Sequence, residues 1–297
     1  MTGCHGFVGS NLIESLAPNY EIIRWNVRED KPLPECDAMI HLAGLAHDTK
    51  NATEPERYFA INTEITKKMF DRFLESGAKK FIFFSSIKAQ DVDTPYAQSK
   101  RRAEDYIRSK FQDLSSQDLR NERAKLEVKF HDKHVYILRP CMIHGKGNKG
   151  NLNLLVKWVK KGSPWPLAAF ENKRSFASID NVIFIVNELI KRDIPSSIYD
   201  ICDDEAVSTN ELIGLICQCM GKKAHLWRIP QGLMKVLARV GDVLYLPLNM
   251  ERLEKLTKNY IVSNEAIKLV LGVERMPVEA KEGLRQSIIS MINEDKQ

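Results

Sequence analysis

The chain opens on Met1-Thr-Gly-Cys-His-Gly-Phe-Val-Gly-Ser-Asn11, in which Gly3, Gly6 and Gly9 recur at every third position. Asn11 to Leu16 then follow with the apolar spacing of a helix. Glycines let the backbone turn tightly and let an anion come close to its N–H groups, because no Cβ stands in the way. The positive end of the following helix would face that anion, as in the first βα turn of a dinucleotide-binding sheet. An ordinary glycine turn has the same residues, so the reading rests on what lies downstream.

Two downstream segments supply it. Phe81-Ile-Phe-Phe-Ser-Ser86 predicts a buried strand that ends in two hydroxyls, and Pro95-Tyr-Ala-Gln-Ser-Lys100 opens a helix. Tyr96 and Lys100 are four residues apart, hence on one helix face. A free phenol, with a pKa of about 10, is a poor base at neutral pH. A lysine ammonium beside it, together with an oxidised nicotinamide, favours the phenolate. Tyr96 could then exchange a proton with a sugar or alcohol oxygen while hydride passes to or from the nicotinamide.

With these motifs together, the chain resembles the extended short-chain dehydrogenase/reductase family, in its nucleotide-sugar epimerase/dehydratase branch. His41-Leu-Ala-Gly44 matches that family's strand end beside the cofactor, and Asn62 an asparagine of the next helix. Arg139-Pro140 with Gly145-Lys-Gly147 is similar to its R-P-x-x-x-x-G segment, and Arg174-Ser-Phe-Ala-Ser-Ile-Asp180 to its R-x-F-x-x-x-D run. The resemblance implies Ser86, the last hydroxyl of its strand end, as catalytic partner of Tyr96 and Lys100. It implies Gly3, Gly6, Phe7, Val8, Gly9, Asn26, Leu42, Ala43, Gly44 and Asn62 around the cofactor, again with Tyr96 and Lys100. Substrate contacts are expected from Ser86, Asn153, Leu154, Arg174 and Arg252. The two arginines are candidates for clamping a diphosphate, since a guanidinium offers paired donors to phosphate oxygens. His47 and His144 are not assigned. No metal is expected.

Strands are predicted at Tyr20–Trp25, Asp37–Ala43, Phe81–Phe84, His134–Leu138 and Ile198–Cys202, and helices at 53–76, 94–108 and 210–220, the last capped by Ser208. The alternation predicts an α/β fold, a Rossmann-like doubly wound parallel sheet with a small C-terminal substrate lobe. The dinucleotide-binding domain is placed at 1–145. The substrate lobe is placed mainly at 146–297, with some segments returning to the sheet. Leu233 to Leu246, apolar and helical, is read as packing of that lobe in preference to a membrane contact. Three features depart from the family pattern. The first strand is missing before Gly3, which points to a start upstream of Met1 or to a truncated form. Asn26, between Arg24 and Arg28, stands where an acid would hold the ribose of NAD, which leaves NAD or NADP open. The Ser86–Tyr96 loop is short.

A formal charge of +5 with interspersed acids disfavours nucleic acid and suits an anionic substrate. No apolar run reaches the roughly 20 residues of a membrane span, so no membrane partner is expected and the protein is placed in the cytoplasm. Six cysteines without a C-x-x-C pair agree with a reducing compartment. The expected partner is a nucleotide sugar, and a homodimer is possible. The implied activity is NAD(P)-dependent epimerisation or 4-ketoreduction of a nucleotide sugar, with NAD for an epimerase. Ile87-Lys88, where 4,6-dehydratases of the family carry an acid pair, disfavours dehydration. The alternative is a non-catalytic NAD(P)-binding regulator of the same fold.

Overall fold

A computed structural model describes residues 1–28, 33–46, 54–117, 132–148, 150–244 and 248–294. The chain forms two units: Met1–Cys141, Val182–Ile201 and Asn264–Glu274 make the first, and Met142–Asn181, Cys202–Ser263 and Arg275–Gln297 the second.

The first unit is built on four parallel strands in the order β1 (Ala38–His41), β2 (Lys80–Phe84), β3 (His134–Pro140), β6 (Ser197–Ile201). Every residue of β2 is buried, as a strand covered on both faces must be. Its alternate residues Phe81 and Phe83 join Phe70 and Phe73 of α3 (Ile65–Glu75) and Ala103 and Ile107 of α4 (Pro95–Gln117) in one apolar cluster. Ile82, with Tyr136 and Leu138 of β3, fills the opposite face. Between α2 (Pro55–Tyr58) and α3 lies a π-helical stretch, Phe59–Glu64, so the predicted 53–76 helix is interrupted in register. Thr53 lies outside the described residues.

The edge beyond β1 is where the sequence expectation needs correction. Tyr20–Trp25 forms no strand. Within it, the Ile23 carbonyl accepts from the Met1 ammonium at 2.7 Å and Trp25 N–H donates to the Met1 carbonyl at 2.8 Å. Thr2 in turn bridges to His41 in parallel. Two residues cannot sustain a ladder, so the pairing stops there. Even so, Met1–Thr2 lies between the 23–25 segment and β1. With neighbours on both sides, it stands at the topological switch point of such sheets. The parallel order and this switch point make the fold Rossmann-like.

His41 secures this junction. Thr66 Oγ1 donates to the Asn62 carbonyl at 2.7 Å and therefore accepts from His41 Nε2 at 3.0 Å. The Nδ1 atom then accepts from Thr2 Oγ1 at 2.8 Å, and that hydroxyl accepts from Leu42 N–H and Ala43 N–H at 3.1 and 3.2 Å. The ring is neutral: complete burial, with Lys100 and the N-terminal ammonium adding repulsion, pushes its pKa from 6.5 down to about 3.

The second unit centres on α7 (Thr209–Cys219), whose N-terminus carries a reciprocal capping box of Ser208 and Glu211. Around it pack α5 (Asn151–Lys160), α8 (Gln231–Val243), α9 (Met250–Thr257) and α11 (Ala280–Glu294). A two-stranded parallel sheet joins β4 (Met142–His144) to β5 (Phe176–Ser178). His144 is fully buried between Ser287 Oγ at 2.8 Å and Asp203 Oδ2 at 3.3 Å. This Ser–His–Asp set is sealed from solvent and ties β4 to α11.

The histidine junction has a pH signature. Its folded pKa lies below the ordinary histidine value, so its contribution to stability is complete above about pH 6.5 and is lost as pH falls toward about 3. His41→Gln is expected to be less stable at pH 7 but to flatten the acid limb by about 1.4 kcal/mol per pH unit within that window. Denaturant unfolding across that range measures it, and parallel acid limbs for the two proteins would refute it.

Candidate active site

The glycine turn is packed as closely as its sequence suggests. Gly3 has φ +69°, and a Cβ there would lie 2.8 Å from Ala43 N and from the Leu42 carbonyl carbon. A Cβ on Gly9 would stand 2.3 Å from the Gly3 carbonyl oxygen. Gly6 N–H donates to that same oxygen at 3.1 Å and Gly6 is the N-cap of α1 (Phe7–Leu16), with no side chain capping it. The first turn of α1, with Phe7, Val8 and Gly9, thus presents backbone N–H groups to an approaching anion. The cradle fits a dinucleotide pyrophosphate. Gly44 is the second close approach: a Cβ would lie 3.1 Å from both Asn62 Oδ1 and Lys100 Nζ.

Asn62 is buried in the π-helical stretch and every polar atom of its side chain is engaged. Its Oδ1 accepts from Leu45 N–H at 2.7 Å, and its Nδ2 donates to the Leu45 carbonyl and to Ser99 Oγ, each at 3.0 Å. Ser99 Oγ donates to the Tyr96 carbonyl at 2.7 Å. Asn62 therefore locks the Leu42–Leu45 loop to the first turn of α4. Asn26 lies apart from this core, exposed, with its Oδ1 accepting from Arg28 N–H at 3.1 Å.

Ser86, Tyr96 and Lys100 gather at the carboxyl end of β2. The Ser86 hydroxyl lies near enough to the Tyr96 phenol to pull its pKa down, while Ser85 turns the other way and donates to Glu104 of α4. The two neighbouring hydroxyls are thus divided between the site and the scaffold. Lys100 Nζ donates to the Phe84 carbonyl at 2.8 Å and lies 5.0 Å over the Phe83 ring. Burial lowers its pKa to about 8, with Glu104 pulling upward. Tyr96 stands between opposing influences. Burial is the largest influence and pushes the phenol up, Ser86 pulls it down, and Tyr58, edge-on at 6.1 Å between ring centroids, pushes it up again.

Sequence reading missed Glu104. It is fully buried, accepts from Ser85 and receives Arg139 through Nε at 2.9 Å and Nη2 at 2.5 Å. The available signal was helical spacing, since Glu104 lies four residues beyond Lys100 and eight beyond Tyr96. Arg139, legible only as part of a motif, gains a definite partner here.

The candidate substrate residues belong to the second unit. Arg174 is half-buried on a segment bridged to Val207 and Tyr260, and its guanidinium has no carboxylate partner among the described residues. Burial lowers its pKa. Asn153, on α5, donates to the Asn148 carbonyl, and Leu154 beside it is exposed. Arg252 lies in the first turn of α9, where its N–H is capped by Asn249 Oδ1 at 2.9 Å and its side chain is exposed. His47 lies outside the described residues.

Three comparisons bear on the family of the chain. A UDP-glucose 4-epimerase of Vibrio cholerae is 28% identical over 256 residues, which span 77% of each chain. A UDP-glucuronic acid 4-epimerase from Bacillus cereus, solved in complex with NAD, superposes with a TM-score of 0.69 at 16% identity, covering 98% of this chain and 97% of that one. RMD from Pseudomonas aeruginosa, complexed with NADPH, gives 0.66 at 19% identity over 97% and 96%. Residues 1–202 match the model of the NAD dependent epimerase/dehydratase family, and the chain belongs to that family.

Proposed function

We propose that this protein is an NAD(P)-dependent nucleotide-sugar epimerase or 4-ketoreductase that exchanges hydride at a sugar ring carbon. The observation that carries the reading is Ser86 and the Tyr96 phenol brought together at the carboxyl end of β2, with the Lys100 ammonium buried one turn further along α4. The relatives' activities on nucleotide sugars support it. In this reading Gly3, Gly6, Phe7, Val8 and Gly9 cradle the pyrophosphate, Asn26 lies at the adenosine ribose, and Leu42–Gly44, Tyr96 and Lys100 border the nicotinamide. Bound nicotinamide would supply the hydride acceptor and donor.

The chain's own residues handle the proton. Ser86 orients the reacting sugar oxygen and the phenol. Tyr96 takes the hydroxyl proton as hydride leaves the same carbon, and returns it when hydride comes back. Lys100 favours the phenolate, and Glu104 and Asn62 position α4 without touching the reacting atoms. An epimerase and a ketoreductase use the same set and differ in whether the cofactor is retained. Arg174 is the candidate clamp for the substrate diphosphate: a desolvated guanidinium lacking a carboxylate is prepared for an anion. Arg252 is a second candidate for the diphosphate, and Asn153 and Leu154 are candidates for contact with the nucleotide base.

The purified protein, mixed with NADH or NADPH and a panel of UDP-sugars and 4-keto sugars, is expected to epimerise a UDP-sugar or to oxidise the reduced cofactor. Cofactor binding without turnover on any member would favour the non-catalytic regulator instead. Tyr96→Phe removes one oxygen and is expected to keep cofactor affinity while lowering turnover roughly 10²–10⁴-fold. A variant that retained half its activity would remove Tyr96 from the mechanism. Arg174→Ala is expected to raise KM for the nucleotide sugar about ten- to hundredfold, the scale of a lost charge-assisted contact, with cofactor affinity unchanged. Equal KM values would make Arg174 a structural cation.

A further inference from the structure

The helix α8 is packed inside out. The side it presents to its own unit carries Met234, Ala238 and Gly241, all buried. A Cβ on Gly241 would come within 1.7 Å of the Leu248 carbonyl oxygen, so the helix is seated by Met234 and two small residues. Its other large residues face the other way. Leu233, Val236, Leu237, Val240, Val243 and Leu244 are all exposed, Val243 at 77%. Their spacing of three and four places them on a single stripe about three turns long. Just before the helix, Trp227 is 56% exposed, on a short segment tied to Trp165 by backbone hydrogen bonds. Packing of the lobe, the role the sequence assigns to Leu233–Leu246, accounts for Met234, Ala238 and Gly241 only; Tyr245 and Leu246 lie outside the described residues.

Charge chooses among the surfaces that could cover such a stripe. Residues 222–241 carry Lys222, Lys223, Arg228, Lys235 and Arg239 and no aspartate or glutamate. Lys235 and Arg239, four apart and exposed, form a cationic row along one flank of the apolar stripe. The next acid, Asp242, faces the backbone N–H of Met250 at 3.3 Å. A second copy related by a two-fold axis would bring these cations against their own equivalents with no acid between them. An anionic lipid surface receives the apolar stripe among its acyl chains and the cations among its headgroups. With 13 residues α8 is too short to span, and no helix among the described residues is long and apolar enough to cross a membrane.

We infer that α8, with Trp227 at its entry, is an interfacial helix that seats this protein on an anionic membrane surface. The inference goes beyond the proposed activity, does not depend on it, and reverses the expectation that no membrane is involved. The test is flotation of the full chain with vesicles of phosphatidylcholine alone or mixed with phosphatidylglycerol. The protein should float with the mixed vesicles about ten- to thirtyfold more than with phosphatidylcholine, an excess that salt removes. Val236→Asp/Val240→Asp should abolish flotation while circular dichroism and cofactor binding stay unchanged. Lys235→Glu/Arg239→Glu should lose only the preference for phosphatidylglycerol. If the aspartate pair unfolds the protein, Val236→Gln/Val240→Gln provides the same comparison with a milder change. A wild-type chain that stays in the aqueous fraction with both vesicles overturns the inference. So does a wild-type dimer that the stripe variants convert to monomer without altering flotation, because the stripe would then join two copies.

Discussion

The site depends on one unusual burial: three charged side chains, Lys100, Glu104 and Arg139, enclosed where α4 crosses the carboxyl end of β2 and β3. Taking an ion out of water costs several kcal/mol unless it is paired and hydrogen-bonded. Here Glu104 receives the Arg139 fork and the Ser85 hydroxyl, and Lys100 finds the Phe84 carbonyl. The polar groups at the end of β2 admit α4 in one rotation and one register only. A slip of one residue would leave a carboxylate and an ammonium buried without partners. Tyr96 lies one turn before Lys100 on the same face, so the charges that fix the helix also aim the phenol at Ser86. The arrangement specifies geometry more than it adds stability.

A second constraint, close backbone approach, acts at the other side of the site. Gly3, Gly9 and Gly44 are each at a point where a Cβ would collide with backbone or with the Asn62 and Lys100 side chains. Thr2, His41, Thr66 and Asn62 connect these points through hydrogen bonds that only a neutral imidazole can complete. The Lys100 ammonium helps keep that ring neutral, so the two halves of the site are linked by charge repulsion as well as by packing.

Much of this was legible in the sequence, and the limits have physical causes. Parallel strands covered on both faces announce themselves as apolar runs, which is why β2 and β3 were readable within a residue or two. Tyr96 and Lys100 were readable because helical spacing alone puts them on one face. Tyr20–Trp25 has strand composition but lacks a ladder, since a strand is a property of its partner as well as of itself. Glu104 was missed because a buried acid in an otherwise polar helix is indistinguishable from a solvated one until Ser85 and Arg139 are placed. The face of α8 was misjudged for the opposite reason. Periodicity reports that a helix has an apolar stripe, yet the stripe can face away from the core when Met234 and two small residues seat the helix.

The titration of the site follows from the same enclosure. Burial raises the Tyr96 phenol and lowers Lys100 to about 8, so each residue is moved toward its neutral form. Glu104 opposes this at Lys100, and Ser86 opposes it at Tyr96, each through a group that would be exposed to neither in water. At neutral pH Lys100 therefore keeps its proton by about a tenfold margin, and Tyr96 keeps its own by far more. A phenolate at this position requires additional positive charge beside it.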